Sequence, residues 1–287
     1  MTSPKPASGL SEIADRYDVV LCDIWGVIHN GRESFPAACE ALARFKAERG
    51  PVILISNAPR PNPPVVEQLG GFGVTPASFS EVVTSGDATR TLLAERAPGP
   101  FWKLGPDRDW PLYEGLSLQF VDLAEARYIS CTGPFDDETE TPEDYRERFR
   151  DAVARGLPMI CANPDIVVQR GDRLIYCGGA LAQLYEALEG RVLMAGKPHP
   201  AIYDLALEKA AARLGGPADR KRVLCIGDGL GTDIRGANAQ GLDALFIANG
   251  IHGKETVRDG ALDLSVAQHL LEIEGLSAAW AMADLVW

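Results

Sequence analysis

The chain has 287 residues, 46% of them hydrophobic, which is long enough for two domains, or for one carrying a large insertion, and apolar enough to bury a sizeable core. A formal net charge of −12 and a pI near 4.9 disfavour nucleic acid and anionic membrane as partners, because both demand clustered Lys and Arg. Any anionic substrate must be met by local donors or a metal, not by the global field.

The stretch Met1 to Gly9 is polar, with no apolar signal-like core, and no window approaches the ~18 apolar residues of a membrane span, so the expected location is the cytoplasm. Six cysteines (Cys22, Cys39, Cys131, Cys161, Cys177, Cys225) show neither C-x-x-C nor zinc spacing and read as buried reduced thiols.

In chain order, a short helix is predicted from Leu10 to Arg16. The run Val19-Val20-Leu21-Cys22-Asp23 follows, apolar and partly β-branched, ending on one carboxylate before Trp25 and Gly26. It reads as a buried parallel strand with Asp23 at its carboxyl end, the side of an open α/β sheet where ligands bind. A helix is expected over Pro36 to Arg49, with Ala38, Leu42 and Phe45 on one face. Val52 to Asn57 repeats the opening pattern, a buried strand that ends in Ser56 and Asn57. Another strand over Glu81 to Ser85 and a helix over Asp87 to Glu95 continue the β/α alternation of a doubly wound parallel sheet.

From about Pro98 to Gly190 the texture changes, and this stretch is read as a second α/β unit inserted into the first. It contains strand-like runs at Phe101–Gly105, Tyr128–Thr132 and Pro158–Ala162, a charged helix after Pro142, and a hairpin turning at Arg170-Gly171-Asp172-Arg173. The expected organisation is a core of residues 1–97 and 191–287 with an inserted unit of residues 98–190. Arg191 to Lys197 then reads as a strand ending in lysine, and Arg222 to Asp228 as one ending in aspartate. The tail from Ser265 to Trp287 is helical in pattern.

Four strand ends thus carry reactive groups: Asp23, Ser56 with Asn57, Lys197, and Asp228 with Asp233. In a parallel sheet these are expected to converge on one edge. Two carboxylates suit Mg²⁺, the hydroxyl of Ser56 donates to an anionic oxygen, and Lys197 adds a positive charge, which together describe a phosphoryl-transfer site. Taken singly, each has a bland reading: Asp233 as a residue of a first helical turn, Ser56 as a cap, Lys197 as an ordinary surface lysine. A dinucleotide-binding reading of Gly227 to Thr232 fails, because no third glycine completes G-x-G-x-x-G.

Asp23-Ile24-Trp25-Gly26-Val27, Ser56-Asn57, Gly196-Lys197-Pro198 and Gly227-Asp228-Gly229-Leu230-Gly231-Thr232-Asp233 resemble, in that order, the four motifs of the haloacid dehalogenase superfamily. The insertion, with its Ala162-Asn163-Pro164-Asp165 loop, is similar to the type IIA cap of the branch containing pyridoxal, phosphoglycolate, nucleotide and sugar phosphatases. The resemblance covers about Tyr17 to Gly250. It implies a Rossmann-like core with an inserted α/β cap, and a Mg²⁺-dependent phosphatase acting through an aspartyl-phosphate. Asp23 would be nucleophile and metal ligand, Ser56 would hold the transferring phosphoryl group, and Lys197 would neutralise charge. Asp228 and the backbone carbonyl of Trp25 would complete the protein's metal ligands, with Asp233 orienting from behind. Asn57, Asn163, Asp165 and Arg60 are substrate-contact candidates. The implied partner is a small phosphorylated metabolite, with a homodimer through the cap as a further expectation.

At Trp25 the pattern departs. The family's phosphatases carry there a second aspartate that serves as general acid and base, and losing such a group typically removes ~10²–10⁴-fold in rate. Three expectations follow: a substrate whose leaving group needs little protonation, such as an acyl or aryl phosphate; a substitute such as His29 or His199; or a protein that only binds a phosphorylated ligand. A metal-free dehalogenase-type hydrolase is a less favoured alternative.

Overall fold

The computed structural model describes residues 3–170 and 173–287. The hairpin tip residues Gly171 and Asp172 lie outside the described residues. The chain divides into two compact units: Met1–Ser56, Val66–Val83 and Tyr203–Trp287 form the first, and Asn57–Val65 with Thr84–Ile202 the second.

The first unit is built on a seven-stranded sheet ordered Lys5–Pro6, Trp280–Met282, Asp243–Ile247, Val223–Gly227, Val19–Asp23, Val52–Ser56, Glu81–Thr84. Its described strand pairings are parallel. Val19–Asp23 and Val52–Ser56 are buried along their whole length, which is why they read as unbroken apolar runs with no alternation. From Val19–Asp23 the chain winds outward through Val52–Ser56 to Glu81–Thr84. It later returns on the opposite side at Val223–Gly227 and winds outward again. The reversal falls between Val19–Asp23 and Val223–Gly227, which pair with Cys22 opposite Ile226. In a doubly wound sheet such a reversal opens a crevice at the carboxyl ends of the two strands, and both strands here run on into aspartates. The Pro36–Glu48 helix buries Ala38, Ala41, Leu42 and Phe45, the face its spacing predicts.

The second unit holds a five-stranded parallel sheet ordered Val192–Met194, Met159–Cys161, Tyr128–Cys131, Pro100–Leu104, Gln119–Phe120. Tyr145, Phe149, Leu181 and Tyr185, from helical segments after Pro142 and Gly178, are fully buried in its core. The predicted hairpin is present as antiparallel Val167–Arg170 and Arg173–Tyr176.

Three expectations are corrected. Val192–Met194 pairs with Met159–Cys161, so the strand before Lys197 belongs to the second sheet, and the convergence of reactive strand ends on one sheet edge holds for three strands, not four. A run of three half-buried apolar residues is compatible with either sheet, and only the pairing decides between them. The tail is helical over Leu264–Ile273 and then ends at Gly275, whose φ of +66° no helix continues. Trp280–Met282 then joins the first sheet as a strand, because alanine-rich Ala278 to Ala283 is ambiguous by propensity and burial settles it. Leu10 to Arg16 is two short 3₁₀ turns, Leu10–Glu12 and Ala14–Arg16. Among the described residues no helix is long and apolar enough to cross a membrane.

Candidate functional site

In the first unit Asp23, Asp228 and Asp233 are buried together, with one carboxylate oxygen of each within 4.8 Å of the others. Their placement follows from the strands. Asp23 closes Val19–Asp23, opposite Ile55, and Asp228 follows the last residue of the neighbouring Val223–Gly227. Asp233 lies in the turn Leu230–Ile234, where the N–H groups of Asp233 and Ile234 both donate to the Gly229 carbonyl. The second of these is an i to i−5 bond, a widened helical turn of the kind frequent at functional sites.

The carboxylates are aimed by main chain. Asp228 Oδ2 accepts from the N–H of Ile251 at 2.7 Å, and Asp233 Oδ2 from that of Gly229 at 3.0 Å. Glycines make room for them. A Cβ on Gly26, which has φ +77°, or on Gly250 would fall 2.0 Å from Asp228 Oδ2. The sequence marks Gly26 as the turn after the opening strand but not as room for Asp228, and Gly250 carries no signal beyond the turn-forming Asn249-Gly250 pair. Gly26→Ala is expected to push Asp228 aside and weaken divalent-metal affinity by ~10- to 100-fold, as read by a metal titration of activity or binding.

Three like charges this close repel by about 3 kcal/mol per pair at an effective dielectric near ~20, so the arrangement is built for a cation. All-oxygen, carboxylate-rich donors fit a hard divalent ion. Ser56, at the end of the strand beside Val19–Asp23, is also buried.

Trp25 is half-buried and firmly seated. Its ring meets His29 edge-on at 4.8 Å between centroids and covers Gly31, where a Cβ would approach within 2.5 Å of the indole. His29 is itself buried, packs on Phe72 at 5.0 Å, and accepts the Gly31 N–H on Nδ1 at 2.9 Å. Burial pushes the His29 pKa down to about 4, so the imidazole is neutral near pH 7 and serves as a wall for Trp25. Because the folded pKa is below the ordinary 6.5, the unfolded chain binds the extra proton in the window between about 4 and 6.5. The stability from neutral His29 is therefore complete above pH 6.5 and is lost as pH falls toward 4. Urea unfolding of His29→Gln is expected to lose part of that acid-side slope.

In the second unit, Asn57 follows Ser56 directly in the chain and spends its amide on two other candidates. Its Oδ1 accepts from the Lys197 N–H at 2.7 Å, while Nδ2 donates to the Lys197 carbonyl at 3.1 Å and to Asp165 Oδ1 at 2.8 Å. Lys197 is buried, 2% exposed. Asn163, also buried, accepts the Asp165 N–H on Oδ1 at 3.2 Å, so the Asn163-Pro164-Asp165 loop is closed on itself. Arg60 lies 3.9 Å from the buried Asp109, and burial lowers the Arg60 pKa and raises that of Asp109. His199 is half-buried and burial lowers its pKa too.

Buried carboxylates at the switch point of a doubly wound parallel sheet, with a second α/β unit inserted along the chain, point to the class of hydrolases that the sequence motifs resemble. Family models agree with that class: a haloacid dehalogenase-like hydrolase model matches residues 20–115, and a HAD-hydrolase-like model residues 194–273. A haloacid dehalogenase-like hydrolase from Brucella suis is 45% identical in sequence, with a TM-score of 0.88 over 98% of this chain and 100% of its own. The acid sugar phosphatase of Staphylococcus saprophyticus is 26% identical over 244 residues, 84% of this chain and 90% of that one. A glycerol phosphate phosphatase from Mycobacterium tuberculosis, solved in complex with calcium, is 25% identical with a TM-score of 0.63, covering 83% of this chain and 68% of that chain. The chain belongs to the haloacid dehalogenase-like hydrolase family.

Proposed function

We propose that the protein is a Mg²⁺-dependent phosphatase of a small phosphorylated metabolite. The observation that carries this reading is the buried trio of Asp23 and Asp228, at the carboxyl ends of adjacent strands, with Asp233 from the following turn, a donor set that suits a divalent cation beside a nucleophilic carboxylate. Relatives named as phosphatases, one of them holding calcium, support the same direction.

In this mechanism an Asp23 carboxylate oxygen attacks phosphorus, the bond to the leaving oxygen breaks, and an acyl phosphate forms on Asp23. Water then cleaves that acyl phosphate and regenerates the carboxylate. Asp23, Asp228 and the Trp25 carbonyl would hold the metal, with Asp233 beside them. When bound, the ion supplies positive charge that stabilises the phosphoryl oxygens. Ser56 is assigned a hydrogen bond to one of those oxygens and Lys197 the second positive charge. Asp165, Asn163 and Arg60 are assigned to the substrate side.

Residue 25 supplies no carboxyl and His29 is engaged with Gly31 and Trp25, so neither position protonates the leaving oxygen. Aryl and acyl phosphates, whose leaving groups are weak bases, are therefore the favoured substrates. A panel of alkyl, aryl and acyl phosphates is expected to show release from the last two, stopped by a chelator and restored by Mg²⁺. Phosphate release that ignores chelator would overturn the metal dependence, and chelator-insensitive halide release from a haloacid would point instead to dehalogenase-type chemistry.

The seated indole also favours a second reading, a protein that binds a phosphorylated ligand without turning it over. No release from any ester, together with Mg²⁺-dependent phosphate binding, would select it.

A further inference from the structure

Asn57 is 3% exposed, and both edges of its amide are committed. The reciprocal pair with the Lys197 N–H and carbonyl, at 2.7 and 3.1 Å, fixes the peptide planes on both sides of that residue, and the remaining N–H reaches Asp165 at 2.8 Å. Two glycines permit this geometry. A Cβ on Gly196 would fall 2.6 Å from Asn57 Oδ1 and 2.5 Å from Ser85 Oγ, so any side chain there would displace the amide. A Cβ on Gly179 would fall 2.1 Å from the Pro164 carbonyl and 2.6 Å from that of Asp165. The Gly179 N–H itself donates to the Asp165 carbonyl at 3.0 Å, so Asp165 is anchored by its backbone as well as by its carboxylate.

We propose that Asn57 is a positioning residue that locks Lys197 and the Asn163-Pro164-Asp165 loop to each other. The positive charge assigned to the phosphoryl group and the loop assigned to substrate are then set by one side chain. This rests on the phosphatase reading, in which Lys197 acts on the reacting group. The amide is needed because only a group with both a donor and an acceptor edge satisfies an N–H, a carbonyl and a carboxylate at once. Asn57→Asp removes both donors and sets a second carboxylate against Asp165. Adding Asp165→Asn restores a donor between the two positions, though not the bond to the Lys197 carbonyl.

The test compares wild type, Asn57→Asp, Asp165→Asn, the double variant and Gly196→Ala. It reads turnover of 4-nitrophenyl phosphate with Mg²⁺, amide hydrogen exchange of the peptide carrying Lys197, and melting temperature as a check on folding. Asn57→Asp is expected to lower kcat on the order of 10²-fold with KM little changed, because a misplaced charge is felt at the transition state. Exchange at Lys197 should rise in parallel, and Gly196→Ala should reproduce both effects. The double variant should recover on the order of tenfold over Asn57→Asp, a coupling that a merely structural asparagine would not show.

Asn57→Asp that keeps wild-type kcat and wild-type exchange would overturn the proposal, as would a double variant no better than Asn57→Asp in both readouts. If wild type turns over no ester, the exchange data decide. Coupling there upholds the lock while the phosphatase reading alone falls, and its absence sinks the lock as well.

Discussion

Asp23→Asn is expected to abolish phosphate release, by roughly 10⁴- to 10⁶-fold, the scale on which loss of a nucleophile is felt in covalent catalysis. The amide is nearly isosteric, so the buried strand end should persist, and the protein should unfold at close to the wild-type temperature. Nucleophilicity is what it lacks. The variant also relieves one of three crowded negative charges, so apparent stability without metal should hold or rise while metal affinity falls. Asp228→Asn gives the contrasting pattern: the nucleophile remains, the Ile251 N–H keeps an acceptor, and the loss is largely in metal dependence. Single-turnover release at fixed Mg²⁺ separates the two, and measurable turnover in Asp23→Asn would rule out the covalent mechanism.

Trp25→Asp is the second large expectation. A carboxyl at that position should raise turnover of alkyl phosphates by ~10²- to 10⁴-fold, while aryl and acyl phosphates gain much less because their leaving groups need little protonation. The change has a structural cost. The indole closes over Gly31 and packs on His29, so its removal leaves a cavity and loosens the turn from Gly26 to His29, which is held by the Gly26 N–H to His29 carbonyl bond at 2.9 Å. A lower melting temperature together with a gain in alkyl phosphate turnover would be the expected signature. Equal effects on all three ester classes would show that protonation of the leaving group is not what Trp25 denies the enzyme. The comparison also bears on the binding-only reading, because that reading requires activity to appear in this variant from an inactive parent.

The first sheet was legible because its central strands are buried on both faces. Such strands become unbroken apolar runs, and a charged residue at the end of one has few explanations other than chemistry. Asp23, Ser56 and Asp228 were picked out that way, and the fold brings Asp23 and Asp228 into one cluster. Asp233 was expected to act from behind the metal, and one of its oxygens lies in the same 4.8 Å cluster as those of Asp23 and Asp228. Lys197 was legible as a residue but not in its setting, since a three-residue strand says nothing about its partner. The glycines that make room for Asp228, and the amide of Asn57 shared between Lys197 and Asp165, depend on contacts between positions far apart in the chain.

What the sequence by itself determined is the α/β class and the chemical types gathered at the strand ends. These rest on local pattern: runs of buried residues, the period of helices, and polar groups where apolar runs stop. Tertiary structure alone decided which sheet the Val192–Met194 strand joins, that the tail returns as a strand at Trp280–Met282, and that Asn57 faces Lys197 and Asp165. Pairing and close approach are properties of surfaces that meet only after folding, and neither leaves a periodic trace in the chain.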